Sequence, residues 1–242
     1  MVEYRMMHEG SVLTSCLHGG PISLAEVARA EELPSWLERD AQLPAGTVAR
    51  VLNALCREYG SCGVMAVDGE SVVGKVRFAP AGLSEDAPRC AQQFAEAWLS
   101  CDPSGLPPRE ALRPQALRIW CLQVVADEKY RRKGIGTGMV EQMAAWAQGD
   151  GWEGVQARAT RAIPPLLDWT GAFSLDAYQR LGFTPTSSEV SPGLLEGVRH
   201  MREGLHGEDV KDQWEAFAHV TDEEAATLYA VTLPLQRPPS GG

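Results

Sequence analysis

Ile119-Trp120-Cys121-Leu122-Gln123-Val124-Val125 is a short apolar run rich in β-formers, and Met139, Val140, Met143, Ala144, Trp146 and Ala147 follow it at helical spacing. Between the two lies Arg131-Arg132-Lys133-Gly134-Ile135-Gly136-Thr137. A strand that passes through a basic, glycine-bearing turn into an amphipathic helix predicts an α/β unit. It also predicts what the junction can bind. The first N–H groups of a helix have no partners within the helix, and the helix dipole favours negative charge there. Gly134 and Gly136 remove the Cβ atoms that would hold a ligand away from those amides. Arg131, Arg132 and Lys133 add positive charge to an otherwise acidic chain. The segment points to a phosphorylated cofactor.

Three phosphate-binding patterns compete for it. A nucleoside-triphosphate loop requires Gly-Lys-Ser/Thr, whereas here Lys133 precedes Gly134. A dinucleotide fingerprint requires G-x-G-x-x-G, but Met139 occupies the third glycine position. The remaining pattern, Arg/Gln-x-x-Gly-x-Gly/Ala, is met by Arg131-x-x-Gly134-x-Gly136. Downstream, Gly154 to Ala159 alternates as a strand, and Leu175-Asp176-Ala177-Tyr178-Gln179-Arg180-Leu181-Gly182-Phe183 reads as a helix closed by a left-handed glycine. These two signatures, in this order, resemble the GNAT superfamily of N-acetyltransferases. The likeness runs from Arg118 to Phe183 and, more loosely, from Ser61 to Pro80.

The resemblance implies an α/β, GNAT-type acyl-CoA acyltransferase fold: a central mixed β-sheet flanked by helices. It implies acetyl-coenzyme A as co-substrate, with the pyrophosphate cradled by Arg131, Arg132, Lys133, Gly134, Ile135, Gly136 and Thr137. The strand through Gln123, Val124 and Val125 would pair with the pantetheine arm, and an amide near Val124 or Val125 would polarise the acetyl carbonyl. The approach from Val125 to Arg131 is one residue longer than the family's usual stretch, and Asp127 stands near its usual proline, so the amide is fixed only to within one position. Tyr178 matches the family's general acid. A phenol of ordinary pKa, about 10, holds a proton at neutral pH for the departing thiolate. Gly171 stands where many relatives carry a cofactor-contacting Asn, which leaves Ser174 as the substitute. No general base is visible; Glu128, Asp168 and His200 are the weak candidates. The expected reaction is direct acetyl transfer to a primary amine on a small molecule or peptide. A catalytically idle acyl-CoA sensor and a structural protein built around its C-terminal helices are the alternatives.

A net charge of −10 excludes the broad basic face of a general nucleic-acid binder. The first residues, Met1 to Glu9, lack the apolar core of a secretory signal, and no run approaches the ~18 apolar residues of a membrane span. The expected location is the cytoplasm. Six cysteines form no C-x-x-C pair, so reduced thiols are the default and no metal is expected. Cys56 and Cys121 read as small buried apolar residues. Cys16 with His18, Cys90 and Cys101 form a weaker metal alternative.

Residues 1–205 are expected to form the acetyltransferase domain, with 206–242 a helical C-terminal extension that packs on the core or pairs two copies. Ser23 with Glu26 is a capping box opening a helix to Leu33, and Thr47 to Tyr59 is amphipathic and stopped by Gly60. Cys62 to Val67 and Ser71 to Phe78 flank Asp68-Gly69 as a hairpin. Residues 79–114 form an insertion with a short helix at 91–99, either a surface excursion or a lid. Pro164-Pro165 and Trp169 sit in a second irregular passage. Val198 to Arg202 reads as a last strand or a helix, while Glu208 to Phe217 and Thr221 to Leu233 read as helices.

Overall fold

A computed structural model describes residues 1–32, 35, 38–39, 43–83, 105–113, 115–163, 167, 173–204 and 217–236. The chain forms two compact units, residues 1–155 with the segment beginning at Pro234, and residues 156–233. Its class is mixed α/β, as expected.

In the first unit, β1 (Glu3–Met6), β3 (Gly63–Asp68), β4 (Ser71–Pro80) and β5 (Ala116–Val124) lie side by side in that order. Each neighbouring pair is antiparallel. The Asp68-Gly69 hairpin forms as predicted, with Asp68 opposite Ser71 and Gly69 at φ 63°. A short β2 (Ile22–Ser23) shares an edge of β4 with β5, pairing Val72 and Ser71 where β5 ends opposite Gly74. The register shift between Arg77 and Phe78 leaves Trp120 as the extra residue of β5. Helix α1 (Leu24–Ala28) carries the full Ser23–Glu26 capping box but is shorter than predicted. Helix α2 (Thr47–Tyr59) buries Val48, Val51, Leu52, Leu55 and Tyr59, and Gly60 ends it at φ 87°.

Helix α3 (Ile135–Gly149) packs against β3 and β4 through Ile135, Met139, Val140 and Met143, all buried. Two glycines allow the close approach. A Cβ on Gly74 would stand 3.1 Å from Ile135 and Met139 side-chain carbons, and one on Gly138 would stand 2.3 Å from the Tyr4 hydroxyl oxygen. Gly138 is therefore a packing glycine of α3 against β1. Gly138→Val is expected to cost about 1–3 kcal/mol by overpacking, read as a lower thermal midpoint, with Tyr4→Ala recovering part of the loss.

The second unit holds most of β6 (Gly154–Thr160), then β7 (Phe173–Ser174), α4 (Leu175–Arg180), β8 (Thr184–Val190), α5 (Pro192–Gly204), α6 (Asp222–Ala225) and β9 (Thr227–Pro234). β7 pairs parallel to β6, whereas β8 and β9 are antiparallel. Its core is Ile163, Leu194, Val198, Phe217, Ala225 and Ala226. One open reading is decided and one expectation is corrected. Val198 to Arg202 is helical, since Leu194 and Val198 must face the same core from one helix face. The capping box of Thr221 and Glu224 forms, but the helix stops after one turn; residues 227–234 are a strand rather than helix, because β8 supplies a pairing edge. The helical reading of 206–242 therefore fails over Thr227–Pro234. The helix read at 91–99, residues 208–216 of the helix read from Glu208 to Phe217, and Cys90, Cys101, Pro164-Pro165, Asp168, Trp169 and Gly171 lie outside the described residues. Among the described residues, no helix is long and apolar enough to cross a membrane and no group of three His, Cys, Asp or Glu could hold a metal.

Candidate functional site: an amide cradle at the start of α3

The turn between β5 and α3 is built by its own backbone and one distant carboxylate. The Asp127 carbonyl accepts from the N–H groups of Tyr130 (2.9 Å) and Arg131 (3.1 Å), and its side chain accepts from Lys129 N–H (2.8 Å). Asp127 thus folds the longer approach into a tight turn where a proline was expected. Asp68, at the tip of the β3–β4 hairpin, accepts from Lys129 Nζ (2.7 Å) and the Tyr130 hydroxyl (3.0 Å). Those two donors hold its carboxyl below the usual carboxylate range. Nothing in the local sequence pairs Asp68 with the turn; only the fold brings residues 68 and 129 together. Asp68→Ala is expected to leave turnover nearly intact while raising the KM for acetyl-CoA about three- to tenfold, since a solvent-screened ion pair contributes modestly. Steady-state kinetics with varied acetyl-CoA check this.

Beyond the clamp the backbone turns left-handed twice, at Arg132 (φ 56°) and at Gly134 (φ 73°). Gly134 is the N-cap of α3, and no side chain caps the helix. The first backbone bond into α3 runs from Gly138 N–H to the Gly134 carbonyl, 2.9 Å. Among the described residues, nothing accepts from the N–H groups of Gly134, Ile135, Gly136 or Thr137. A Cβ built on Gly134 meets nothing within 4 Å, so the space beside Gly134 is open. Arg131, Arg132, Lys133 and Gly134 are exposed, Ile135 and Gly136 are buried, and Thr137 is half-buried. Four open amides at a dipole's positive end, ringed by exposed cations, suit a pyrophosphate.

On the strand leading to the turn, Val125 N–H donates to the Val73 carbonyl at 3.0 Å and is spoken for. Alternation along an antiparallel ladder then turns Val124 N–H away from β4. Gln123 is engaged from within: its Oε1 accepts from Leu17 N–H (3.1 Å) and its Nε2 lies 3.0 Å from His18 Nε2. Because Oε1 is fixed by a backbone donor, Nε2 is the amide nitrogen and His18 Nε2 is the acceptor. Gln123 therefore holds the residue 13–18 loop on β5.

Tyr178 and Ser174 belong to the second unit. The Tyr178 ring is buried, with Phe173 edge-on at 5.2 Å and Phe183 at 4.9 Å. Burial pushes its phenol well above the ordinary value, so it is protonated throughout the neutral range. Gly182 closes α4 as predicted, with φ 87°, Gly182 N–H to Gln179 carbonyl (2.9 Å) and Phe183 N–H to Tyr178 carbonyl (3.0 Å). Ser174 is the N-cap of α4, its hydroxyl accepting from Ala177 N–H at 3.2 Å. Of the weak base candidates, Glu128 is exposed on the turn and His200 is exposed on α5.

A family model described as Acetyltransferase (GNAT) family matches residues 24–164, more than half of the chain. No curated protein matches. Among solved structures, an acetyltransferase of the GNAT family from Streptococcus pneumoniae is 12% identical over 98% of this chain and 100% of that one, at TM-score 0.50. The IAA acetyltransferase from Bacillus cereus is 13% identical, covering 97% and 100% of the two chains at TM-score 0.43. The ribosomal-protein-S18-alanine N-acetyltransferase from Escherichia coli is 8% identical, covering 74% and 72% at TM-score 0.39. The first of these likenesses is one of fold. With the matched span containing the β5–α3 turn and its open amides, the chain belongs to the GNAT family of acetyltransferases, whose co-substrate is acetyl-coenzyme A.

Proposed function

We propose that the protein transfers acetyl from acetyl-coenzyme A directly to a primary amine of a small molecule or peptide. The observation that carries this reading is the set of open amides from Gly134 to Thr137 before an empty Cβ position. That geometry fits a diphosphate and matches the family's co-substrate. In this reading the Gly134–Thr137 amides and the exposed Arg131, Arg132 and Lys133 bind the pyrophosphate. Val124 supplies the amide that polarises the acetyl carbonyl, since the Val125 amide is already bonded within the sheet. Bound in this way, the co-substrate supplies an activated acyl group, and the chain's part is to orient it and move protons. Tyr178 is the general acid: a phenol kept protonated by burial can deliver its proton to a departing thiolate. Ser174 caps its helix and so positions Tyr178 rather than binding the co-substrate directly.

The test is an acceptor screen read by released thiol, with acetyl-CoA and a panel of small amines and peptides. Amine-dependent thiol release supports the enzyme. Tight coenzyme A binding with no release across the panel would favour a binding module instead.

A further inference from the structure

Two thiols face each other where α2 hands over to β3. Cys56 Sγ lies 3.3 Å from Cys62 Sγ and 3.6 Å from the Met7 carbonyl oxygen. The backbone is anchored at both residues. The Cys56 carbonyl accepts from Gly60 N–H at 2.8 Å as α2 ends, and the Cys62 carbonyl accepts from Phe78 N–H at 3.0 Å. The turn between them is fixed as well. Gly60 supplies its positive φ, 87°, and the Ser61 hydroxyl donates to the Met7 carbonyl at 2.8 Å. A disulfide needs about 2.05 Å between its sulfurs, so closure asks for an approach on the order of 1 Å.

Cys56 is 5% exposed and Cys62 is 0% exposed. Cys16 and Cys121 are more exposed, and exposure alone would make those two the first to oxidise. The buried pair has instead a second sulfur already in place to trap the first oxidation product. Its two members also differ. The sulfur–sulfur hydrogen bond lowers the Cys56 pKa and, together with burial, pushes that of Cys62 up. Cys56 is therefore the attacking thiol and Cys62 the resolving one.

We propose that Cys56 and Cys62 are an oxidisable dithiol, a modification site that hydrogen peroxide converts to an intramolecular disulfide tying the end of α2 to the residue before β3. Cys56 gives up its proton, and its thiolate sulfur attacks one peroxide oxygen. The S–O bond forms as the O–O bond breaks, and the departing hydroxide takes up that proton as water. The Cys62 sulfur then attacks the Cys56 sulfur. The S–S bond forms, the S–O bond breaks, and the leaving hydroxide takes the Cys62 proton as a second water. The two thiols are oxidised by the two electrons that reduce the peroxide.

The experiment treats the folded full-length protein with hydrogen peroxide and caps the remaining thiols with iodoacetamide under denaturing conditions. Tryptic peptides are then read by mass spectrometry without reduction. Trypsin cuts after Arg57, so the Cys56 and Cys62 peptides are expected to emerge as one linked species. That species should be at least about tenfold more abundant than any other cysteine link, and a thiol reductant should restore both thiols. In Cys62→Ser the link is lost, and dimedone should trap Cys56 as a sulfenic acid. Free Cys56 and Cys62 in wild-type protein whose Cys16 or Cys121 has oxidised overturn the proposal without any variant. A Cys16–Cys121 link in place of the Cys56–Cys62 link also overturns it.

Discussion

In the Gly134→Glu variant, coenzyme A affinity is expected to fall at least about a hundredfold, a loss of about 2.7 kcal/mol, while the protein stays folded. The site permits a clean test because a Cβ on Gly134 meets nothing within 4 Å, so the substitution creates no clash. The backbone there has φ 73°, and a glutamate forced into that conformation costs about 1–2 kcal/mol. The larger effect falls on the ligand. A carboxylate would stand before amides whose open N–H groups attract anions, compensating their field and repelling a diphosphate. Gly134→Asn is the matched control: asparagine tolerates left-handed backbone and adds no charge, so it should bind within about tenfold of wild type. Calorimetric titration with coenzyme A measures both variants. Wild-type affinity in Gly134→Glu would remove the turn as the pyrophosphate site.

Tyr178→Phe should reduce kcat about a hundredfold, the lower range for loss of a positioned proton donor, with coenzyme A affinity unchanged. The substitution removes only the hydroxyl. The ring contacts to Phe173 and Phe183, at 5.2 and 4.9 Å, depend on the ring and survive in phenylalanine. A stability loss large enough to mimic inactivation is therefore not expected, and a thermal melt checks it. A wild-type rate at saturating substrates would leave Tyr178 as a packing residue and send the search for the acid elsewhere. A parallel fall in coenzyme A affinity would point instead to a disturbed binding site.

The elements legible in the sequence are those whose signals are local. Ser23 with Glu26 and Thr221 with Glu224 form the reciprocal bonds their spacing calls for, because a capping box closes within four residues. Gly60, Gly69, Gly134 and Gly182 all have positive φ, and each marks the helix end, hairpin turn or phosphate turn read from it. The misread elements depend on partners far along the chain. Thr227-Leu228-Tyr229-Ala230-Val231-Thr232-Leu233 has β-forming content, but a cap at Thr221 promised helix, and pairing with β8 stopped that helix after one turn. Cys121 read as a buried apolar residue; it is partly exposed and stands opposite Arg77. Lys75 and Arg77 alternate along a strand as a solvated face would, yet both are buried, with carbonyls of Leu13 and Ser15 as their hydrogen-bond partners.

By itself, the sequence determined the strand–turn–helix from β5 to α3, its basic glycine turn and hence the class of co-substrate, because a helix N-terminus and two glycines make an anion site through neighbouring backbone alone. Tertiary structure decided which of these groups are available. It bonded the Val125 amide to Val73 and turned that of Val124 away from β4, gave Gln123 to the loop and Ser174 to a helix cap, and clamped the turn through Asp68. It also enclosed Lys75 and Arg77 beneath the carbonyls of Leu13 and Ser15. Each of these depends on contacts between residues distant in the chain, and spacing in the sequence carries no information about which polar atoms such contacts will consume.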